Sequence, residues 1–126
     1  MSDISKNGIV TLTKGDTFQL PLFINVGTEF DPVAFEFQSG DKVLLRVMRA
    51  NESFEDAVLK KSYTHGEQNE DSFIDDKGNV VFKFSYWDTY WIKYGIYFYE
   101  AKVIYTRDNE EKIWTFSPRN KFYITE

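Results

Sequence analysis

The sequence predicts an all-β protein, a single sandwich of seven to eight mostly antiparallel strands. Apolar and polar residues alternate in short segments, and turn signals separate these segments about every ten residues, which is the pattern of a sandwich. Aromatic residues make up 18% of the chain, and eleven of the 23 lie between Phe82 and Tyr105. Aromatic and β-branched residues favour strands. Only residues 52–59 and 86–92 are compatible with a turn or two of helix.

The first half of the chain is expected to supply four strands after a flexible N-terminal tail at residues 1–8. The predicted strands are residues 9–13, 17–25, 41–49 and 58–64. Pro21 lacks the amide hydrogen that a ladder bond needs, so the second strand is expected at a sheet edge.

Two irregular segments interrupt these strands. In residues 27–40, four apolar side chains are expected to cover one end of the core: Phe30, Val33, Phe35 and Phe37. Residues 65–74 are acidic and are expected to form a mobile loop.

The stretch from Asp75 to Tyr105 is predicted to form the centre of the sandwich. A turn at residues 76–79 opens an alternating strand at residues 79–85, and a second alternating run occupies residues 96–105. A compact aromatic corner at residues 86–92 joins them, which is too wide for a hairpin. We therefore expect the two strands to form the centre of a β-sandwich rather than a hairpin.

The C-terminal part is predicted to hold two short strands. A hairpin turn at residues 106–110 leads to a strand at residues 111–116, a second turn at residues 117–120 and a last strand at residues 121–126. The first strand and the last strand are both expected at sheet edges, where unpaired backbone groups accept a strand of another chain.

Bulk properties exclude several classes of function. A chain of 126 residues predicts one domain. The net charge of −5 opposes nucleic-acid binding, which needs a basic face. The absence of cysteine excludes disulfides and thiolate metal sites. No segment approaches ~20 consecutive apolar residues, and residues 1–10 do not read as a signal peptide, so we expect assembly in a cytoplasm without membrane contact.

No catalytic residue, cofactor or metal site is predicted. His65 is the single histidine, and no nucleophile or orienting partner accompanies it in the sequence, so a solvated loop residue is expected. The acidic residues 67–76 were weighed as calcium ligands, but their spacing does not match an EF-hand loop.

Aromatic residues around positions 86–94 form the strongest candidate site: Tyr86, Trp87, Tyr90, Trp91 and Tyr94. The favoured interpretation is a buried plug at one end of the sandwich, with Ser85 or Asp88 capping a helical turn. Two alternatives remain open, a platform for sugars and an anchor for a protein partner. Base stacking is the least favoured, because the chain is acidic.

Two small basic spots complete the candidate binding residues. Lys60 and Lys61 form one, and Arg119 and Lys121 form the other. Such spots are usually solvated surface, but in an assembly of many copies they can meet acidic patches of neighbours and set orientation.

Several motifs in order along the chain resemble a known family. They are Lys14-Gly15-Asp16-Thr17-Phe18, Gly78-Asn79-Val80, Trp87-Asp88-Thr89 and Gly95-Ile96-Tyr97-Phe98-Tyr99-Glu100. This series resembles the immunoglobulin-like domains of tailed-bacteriophage virion proteins, above all the N-terminal domain of baseplate upper proteins and related tail or head-fibre modules. The likeness covers roughly residues 9–124.

The resemblance implies an immunoglobulin-like sandwich with a structural, non-enzymatic role. The expected protein is an adaptor or decoration module of the head or tail of a virion, docked to other virion proteins in multiple copies, with homo-oligomers as an open option. The alternative is a carbohydrate-binding module that attaches to host-surface glycans through Trp87, Tyr90, Trp91 and Tyr94.

Overall fold

The computed structural model describes residues 2–126, and its architecture is all-β, as predicted. The described residues hold nine strands and one short helix. In chain order these are β1 (Asp3–Ile4), β2 (Val10–Thr13), β3 (Phe18–Leu22), β4 (Lys42–Met48), β5 (Leu59–Thr64), β6 (Ser72–Ile74), β7 (Val80–Phe84), α1 (Tyr86–Thr89), β8 (Gly95–Arg107) and β9 (Glu110–Thr125).

The strands form two sheets that enclose one core. The larger sheet has the order β1-β2-β9-β8-β4-β5 and curls into half a barrel, and the smaller has the order β3-β7-β6. Neighbouring strands are antiparallel except for β2 and β9, which run parallel. The prediction of mostly antiparallel strands is therefore confirmed.

Alternation along the strands decides which side chains reach the core, because successive side chains of a strand point to opposite faces. On β4, Val43, Leu45 and Val47 are fully buried. Tyr97 and Tyr99 on β8 are also buried, and Phe82 on β7 faces them from the other sheet. The period-two pattern in the sequence places Val43, Leu45 and Val47 on one face of their strand, and this is the face that the core buries. Each such side chain contributes about 1.5–3 kcal/mol through its removal from water.

The chain changes sheets at α1, so the strands before and after the aromatic corner do not form a hairpin, as expected. β7 is the central strand of the smaller sheet, whereas β8 lies between β9 and β4 in the larger one. The turn before β7 also forms as expected: the Asp75 carboxylate accepts hydrogen bonds from the backbone N–H groups of Lys77 and Asn79, and Gly78 has a φ of 85°.

The predicted turn at residues 117–120 is wrong. β9 runs without interruption through this segment, and the register with β8 shifts twice, between Tyr99 and Ala101 and between Ala101 and Lys102. A β-bulge accommodates a residue that cannot donate a ladder bond, and Pro118 lies within the first shift. Pro118 is therefore accommodated by β-bulges within a continuous strand, and not by a turn between two strands.

The expectation that both terminal strands lie at sheet edges is also wrong. β2 and the end of β9 pair with each other, Val10 with Phe122 and Thr13 with Thr125, so each has a neighbour on both sides. The expectation of a flexible tail at residues 1–8 does not hold throughout, since Asp3 of β1 pairs with Thr11 of β2.

The structure of the two irregular segments agrees with the predictions only in part. Phe35 and Phe37 pack against the core as expected, but Phe30 is 95% exposed and Val33 is half exposed. The segment expected as a mobile loop contains β6. This strand and β1 raise the count to nine, above the seven to eight predicted.

Candidate functional site

α1 is held against the sandwich by two buried side chains. Thr89 and Ile92 are both shielded from solvent. The Thr89 Oγ1 atom accepts a hydrogen bond from the backbone N–H of Gly15 at 3.2 Å, which ties the corner to the turn between β2 and β3. That glycine has a φ of 89°, a conformation that other residues rarely adopt. The corner is therefore fixed at its base.

An ion pair fixes the same corner from the side. The Lys61 Nζ atom lies 2.9 Å from Asp88 Oδ2 and 3.4 Å from Asp71 Oδ2, and the Lys61 side chain is only 5% exposed. Asp88 Oδ2 also accepts a hydrogen bond from the Ser85 backbone N–H at 2.7 Å, so Asp88 caps α1 as expected. Lys61 was predicted to form a partner-binding spot, but its ammonium group already has internal partners.

The rings of the aromatic corner point into solvent, so the favoured plug interpretation is wrong. By aromatic corner we mean five exposed residues, given with their exposed fractions: Tyr86 (48%), Trp87 (69%), Tyr90 (46%), Trp91 (57%) and Tyr94 (54%). Thr89 and Ile92, between them in sequence, supply the anchoring that the rings were expected to give. Exposed clusters of large apolar side chains are candidates for binding surfaces.

Three rings of the aromatic corner contact one another, two of them stacked and one perpendicular to both. Tyr86 and Tyr90 stack with centroids 5.4 Å apart and planes 12° apart. Trp87 stands perpendicular to both, at 84° to Tyr86 and 87° to Tyr90. This part of the aromatic corner is therefore stepped rather than flat. Farther along, the Lys14 Nζ atom lies 4.9 Å from the centroid of the Tyr94 ring.

The other predicted basic residues lie on β5 and β9 rather than in the aromatic corner. Lys60 is exposed on β5, at one edge of the larger sheet. Lys121 is exposed on β9, opposite Phe98 of β8. Arg119 is exposed but occupied: its Nη2 atom donates to the Glu52 carbonyl at 3.0 Å, and its Nε atom lies 3.8 Å from Glu100 Oε1. The structure does not combine these residues into one site.

An ion pair between a buried carboxylate and a partly exposed arginine, far from α1 along β8, was not expected from the sequence. Arg107 donates through Nη1 and Nη2 to the two carboxylate oxygens of Asp41 at 3.1 and 2.9 Å. Burial opposes ionisation of Asp41, but the hydrogen bonds from Arg107 and the Gln38 backbone, with the Arg107 charge, outweigh it and lower the pKa of Asp41 below its usual 3.8. Sixty-six positions separate the partners, and no local pattern connects them.

His65 is not the solvated loop residue that the sequence suggested. Its ring stacks on Phe37 with centroids 5.2 Å apart, and its Nδ1 atom lies 2.8 Å from the Tyr63 hydroxyl. Over residues 2–126, no group of three or more His, Asp or Glu side chains is arranged to hold a metal ion. Within the same range, none of the helical structure has the length and apolar character of a membrane span.

Trp114 is an exposed aromatic residue that was not expected at a binding surface. It lies on β9 with 38% of its surface exposed, beside Ile113 with 61% exposed. Both residues were assigned to an ordinary strand, because period-two alternation does not reveal which strand lacks a neighbour.

Comparisons with protein-family models, curated proteins and solved structures gave no match for this chain.

Proposed function

We propose that this chain is an immunoglobulin-like structural module of a tailed-phage virion, a non-enzymatic adaptor or decoration protein of the head or tail. It docks to other virion proteins in multiple copies and contacts neither nucleic acid nor membrane. The order of sequence motifs supports this proposal, and so does an all-β fold with one core between two sheets.

The aromatic corner is the observation that carries the docking role. Trp and Tyr dominate the residues that contribute most to protein interfaces, since each offers a large area with few rotatable bonds. Here, rings such as Trp87 and Trp91 are exposed while Thr89 and Ile92 hold the backbone below them. Rings on a fixed base lose little further conformational freedom on binding, which favours affinity.

The ring geometry favours a protein partner over a glycan. A sugar ring stacks on an open, flat aromatic face, but Tyr86 and Tyr90 cover one face of each other, and Trp87 stands perpendicular beside them. A stepped surface instead fits pockets on a protein. Carbohydrate binding remains the second candidate, because Trp91 and Tyr94 are also more than half exposed.

Display in many copies makes weak individual contacts sufficient. Linking several binding events converts later ones into intramolecular steps, and the overall affinity rises without new contacts. The net charge of −5 keeps such a protein off the packaged nucleic acid.

Washed particles of the phage that encodes this chain test the proposal. We expect the polypeptide on the order of tens of copies per particle, because avidity requires multiplicity. The double variant Trp87→Ala/Trp91→Ala should be incorporated at reduced copy number. The matched control is Phe30→Ala, which removes a 95% exposed ring elsewhere and should be incorporated normally.

Two results contradict the proposal. A chain found only in the lysate, and absent from washed particles, is not a virion component. If the double variant is incorporated normally but no longer binds purified host cell-wall polysaccharide, the aromatic corner is a glycan site and the second candidate replaces the first.

A further inference from the structure

A groove of about 310 Å³ lies on the outer face of the larger sheet. The residues of β4 and β8 that line it alternate with fully buried residues, so they lie on the side away from the core. Pairing between the strands brings Leu44 opposite Lys102 and Ile104 opposite Ile113. We call this feature the basic groove, and its floor and rim include Leu44, Arg46, Lys60, Lys102, Ile104 and Ile113.

The charge of the basic groove is opposite to that of the whole chain, whose net charge is −5. Arg46, Lys60 and Lys102 line it, against a single lining carboxylate, that of Glu55. Within residues 2–126, Arg46 and Lys60 form no ion pair, and Lys102 has only a distant one, 3.9 Å from Glu100. The cations of the groove are therefore left with charge that an anionic partner can neutralise.

A side wall and the backbone hold two of these cations in place. The Lys102 Nζ atom lies 4.4 Å and the Arg46 Cζ atom 5.3 Å from the centroid of the Phe54 ring. The Arg46 Nη1 atom donates to the carbonyl oxygens of Leu45 and Lys61 at 2.9 and 3.1 Å. In the described part of the chain, Nη2 and Nε of this guanidinium donate to no acceptor, so a fixed fork of N–H groups remains for a carboxylate.

We propose that the basic groove binds an acidic segment of a partner protein in which carboxylates flank an apolar side chain. That the partner is a virion protein rests on the proposed function. The carboxylates pair with the three cations, and the apolar side chain lies against the aliphatic floor, where Ile113 is 61% exposed. Complementary charge of this kind sets the orientation of a partner and rejects basic ones.

The shape of the groove and its one ring favour a protein segment over other anions. Sites for small molecules enclose roughly 70–90% of the ligand surface, whereas the basic groove is open along the face of a sheet. Single-stranded nucleic acid stacks its bases on aromatic faces. Among the lining residues Phe54 is the only aromatic one, and two cations already lie over its ring. A protein segment needs neither enclosure nor a free ring.

Fluorescence anisotropy with a short labelled peptide of alternating aspartate and leucine tests the proposal on the full chain. We expect saturable binding that weakens as the ionic strength rises. Lys60→Gln/Lys102→Gln should raise the dissociation constant about tenfold, because two ion pairs are lost. The matched control is Lys77→Gln/Lys112→Gln, which changes the net charge equally at exposed lysines that do not line the groove. This control should bind like the unmodified chain.

The apolar floor is tested separately. Ile113→Ser should weaken binding of the same peptide, because it removes apolar surface that the leucines cover. Ile96→Ser is its control, since Ile96 has nearly the same exposed fraction, 59%, and does not line the groove. A peptide of alternating aspartate and serine should bind more weakly than the leucine peptide. Trp87→Ala/Trp91→Ala should leave the affinity unchanged, because the aromatic corner is a different surface.

Four outcomes overturn the inference. One is no binding of the acidic peptide at millimolar concentration, and another is equal binding by the two double lysine variants. The third is a single-stranded oligonucleotide that binds as tightly through Lys60 and Lys102, which makes the groove a phosphate site. The fourth is self-association of the chain that Lys60→Gln/Lys102→Gln abolishes, which makes the occupant a second copy.

The peptide measurements do not depend on the copy number in washed particles. A chain that is absent from particles but binds the acidic peptide in the basic groove contradicts the proposed function and supports the chemistry of the groove. A chain that is present in particles but does not bind the peptide contradicts the groove alone.

Discussion

Lys61 connects three parts of the molecule through one ammonium group. It belongs to β5, and its Nζ atom pairs with Asp88 of α1 and with Asp71 just before β6. The same atom lies 5.5 Å from the centroid of the Phe84 ring. Because the side chain is almost fully buried, its charge has no access to bulk water to replace these contacts. The position of α1, and of the rings that follow it, therefore depends on this residue.

Replacing Lys61 should loosen the aromatic corner. We expect Lys61→Met to lower the free energy of unfolding by about 1–3 kcal/mol, because it removes the partner of a partly buried carboxylate. The neighbouring Lys60→Met is the control, since Lys60 is exposed and has no ion pair within residues 2–126. Its effect should stay within about 0.5 kcal/mol.

Urea denaturation measures both variants, and tryptophan emission reports on Trp87 and Trp91. A red shift of the native tryptophan emission in Lys61→Met, but not in Lys60→Met, would indicate that the aromatic corner has loosened. Equal losses of stability in the two variants would show that the Lys61–Asp88 pair does not position α1.

Among the strands, β7 has the most complete packing. It is the middle strand of the smaller sheet, and four of its five residues are buried. Phe82 is fully shielded and faces the larger sheet, where Tyr97 and Tyr99 lie. Every second residue of this strand is apolar, which made the facing of Phe82 predictable, although Val81 on the other face is buried too.

Truncating this ring should destabilise the protein strongly. We expect Phe82→Ala to lower the free energy of unfolding by about 3–5 kcal/mol, because it removes buried apolar surface and leaves a cavity. Phe30→Ala deletes the same ring at a 95% exposed position and should change stability by about 0.5 kcal/mol or less. Thermal or urea denaturation measures the stability of both variants. A loss below about 1 kcal/mol for Phe82→Ala would place this face of β7 at the surface.

Strand facing was readable from the sequence, but strand neighbours were not. In β4 and β7 every second residue is apolar, so the period-two pattern identifies the face that meets the core. Met48 and Val81, on the opposite faces, are buried as well. A signal such as Ser117-Pro118 breaks a strand locally in the same way whether the chain turns or bulges. Whether the chain turns or bulges at such a signal depends on the partner strand, and here β8 pairs with β9 on both sides of the register shifts.

The aromatic corner was found in the sequence, but its exposure was misjudged. Burial of one large ring contributes more than burial of a threonine, so Trp87 and Trp91 were expected to fill the end of the core. The small residue Thr89 occupies that place instead, since the turn between β2 and β3 comes within 3.2 Å of it. Such a close approach depends on tertiary structure, which no local pattern reports.

At the scale of the whole molecule, the two ends of the chain close the fold on each other. β2 pairs in parallel with the last residues of β9, so contacts between positions 10–13 and 122–125 complete the larger sheet. Pairing over so long a separation forms late and slowly, because loop closure opposes it until the rest of the chain is ordered. The C-terminal strand is therefore an internal part of the sheet.

Deletion of the C-terminal strand should abolish folding, whereas deletion of the N-terminal residues should destabilise the protein only slightly. Removing residues 121–126 takes away Phe122 and Ile124, both buried, and the parallel partner of β2. Each buried residue contributes about 2–5 kcal/mol, so the sum approaches the whole stability of a small domain, about 5–15 kcal/mol. Removing residues 1–4 deletes the two-residue β1, with Ile4 packed against the core, and the hydrogen bonds of Ser2 to Thr13 and Asp16. It should lower stability by about 1–2 kcal/mol, the worth of a few cross-strand pairs.

Circular dichroism with thermal melting distinguishes the two deletions. The N-terminal deletion should keep a cooperative transition at a slightly lower temperature, whereas the C-terminal deletion should lose it. Cooperative melting after removal of residues 121–126 would mean that the smaller sheet and the β4–β5–β8 part of the larger sheet fold without closure. In that case β2 and the end of β9 would be an attachment to the core, and the terminal strands would again be candidates for pairing with another chain.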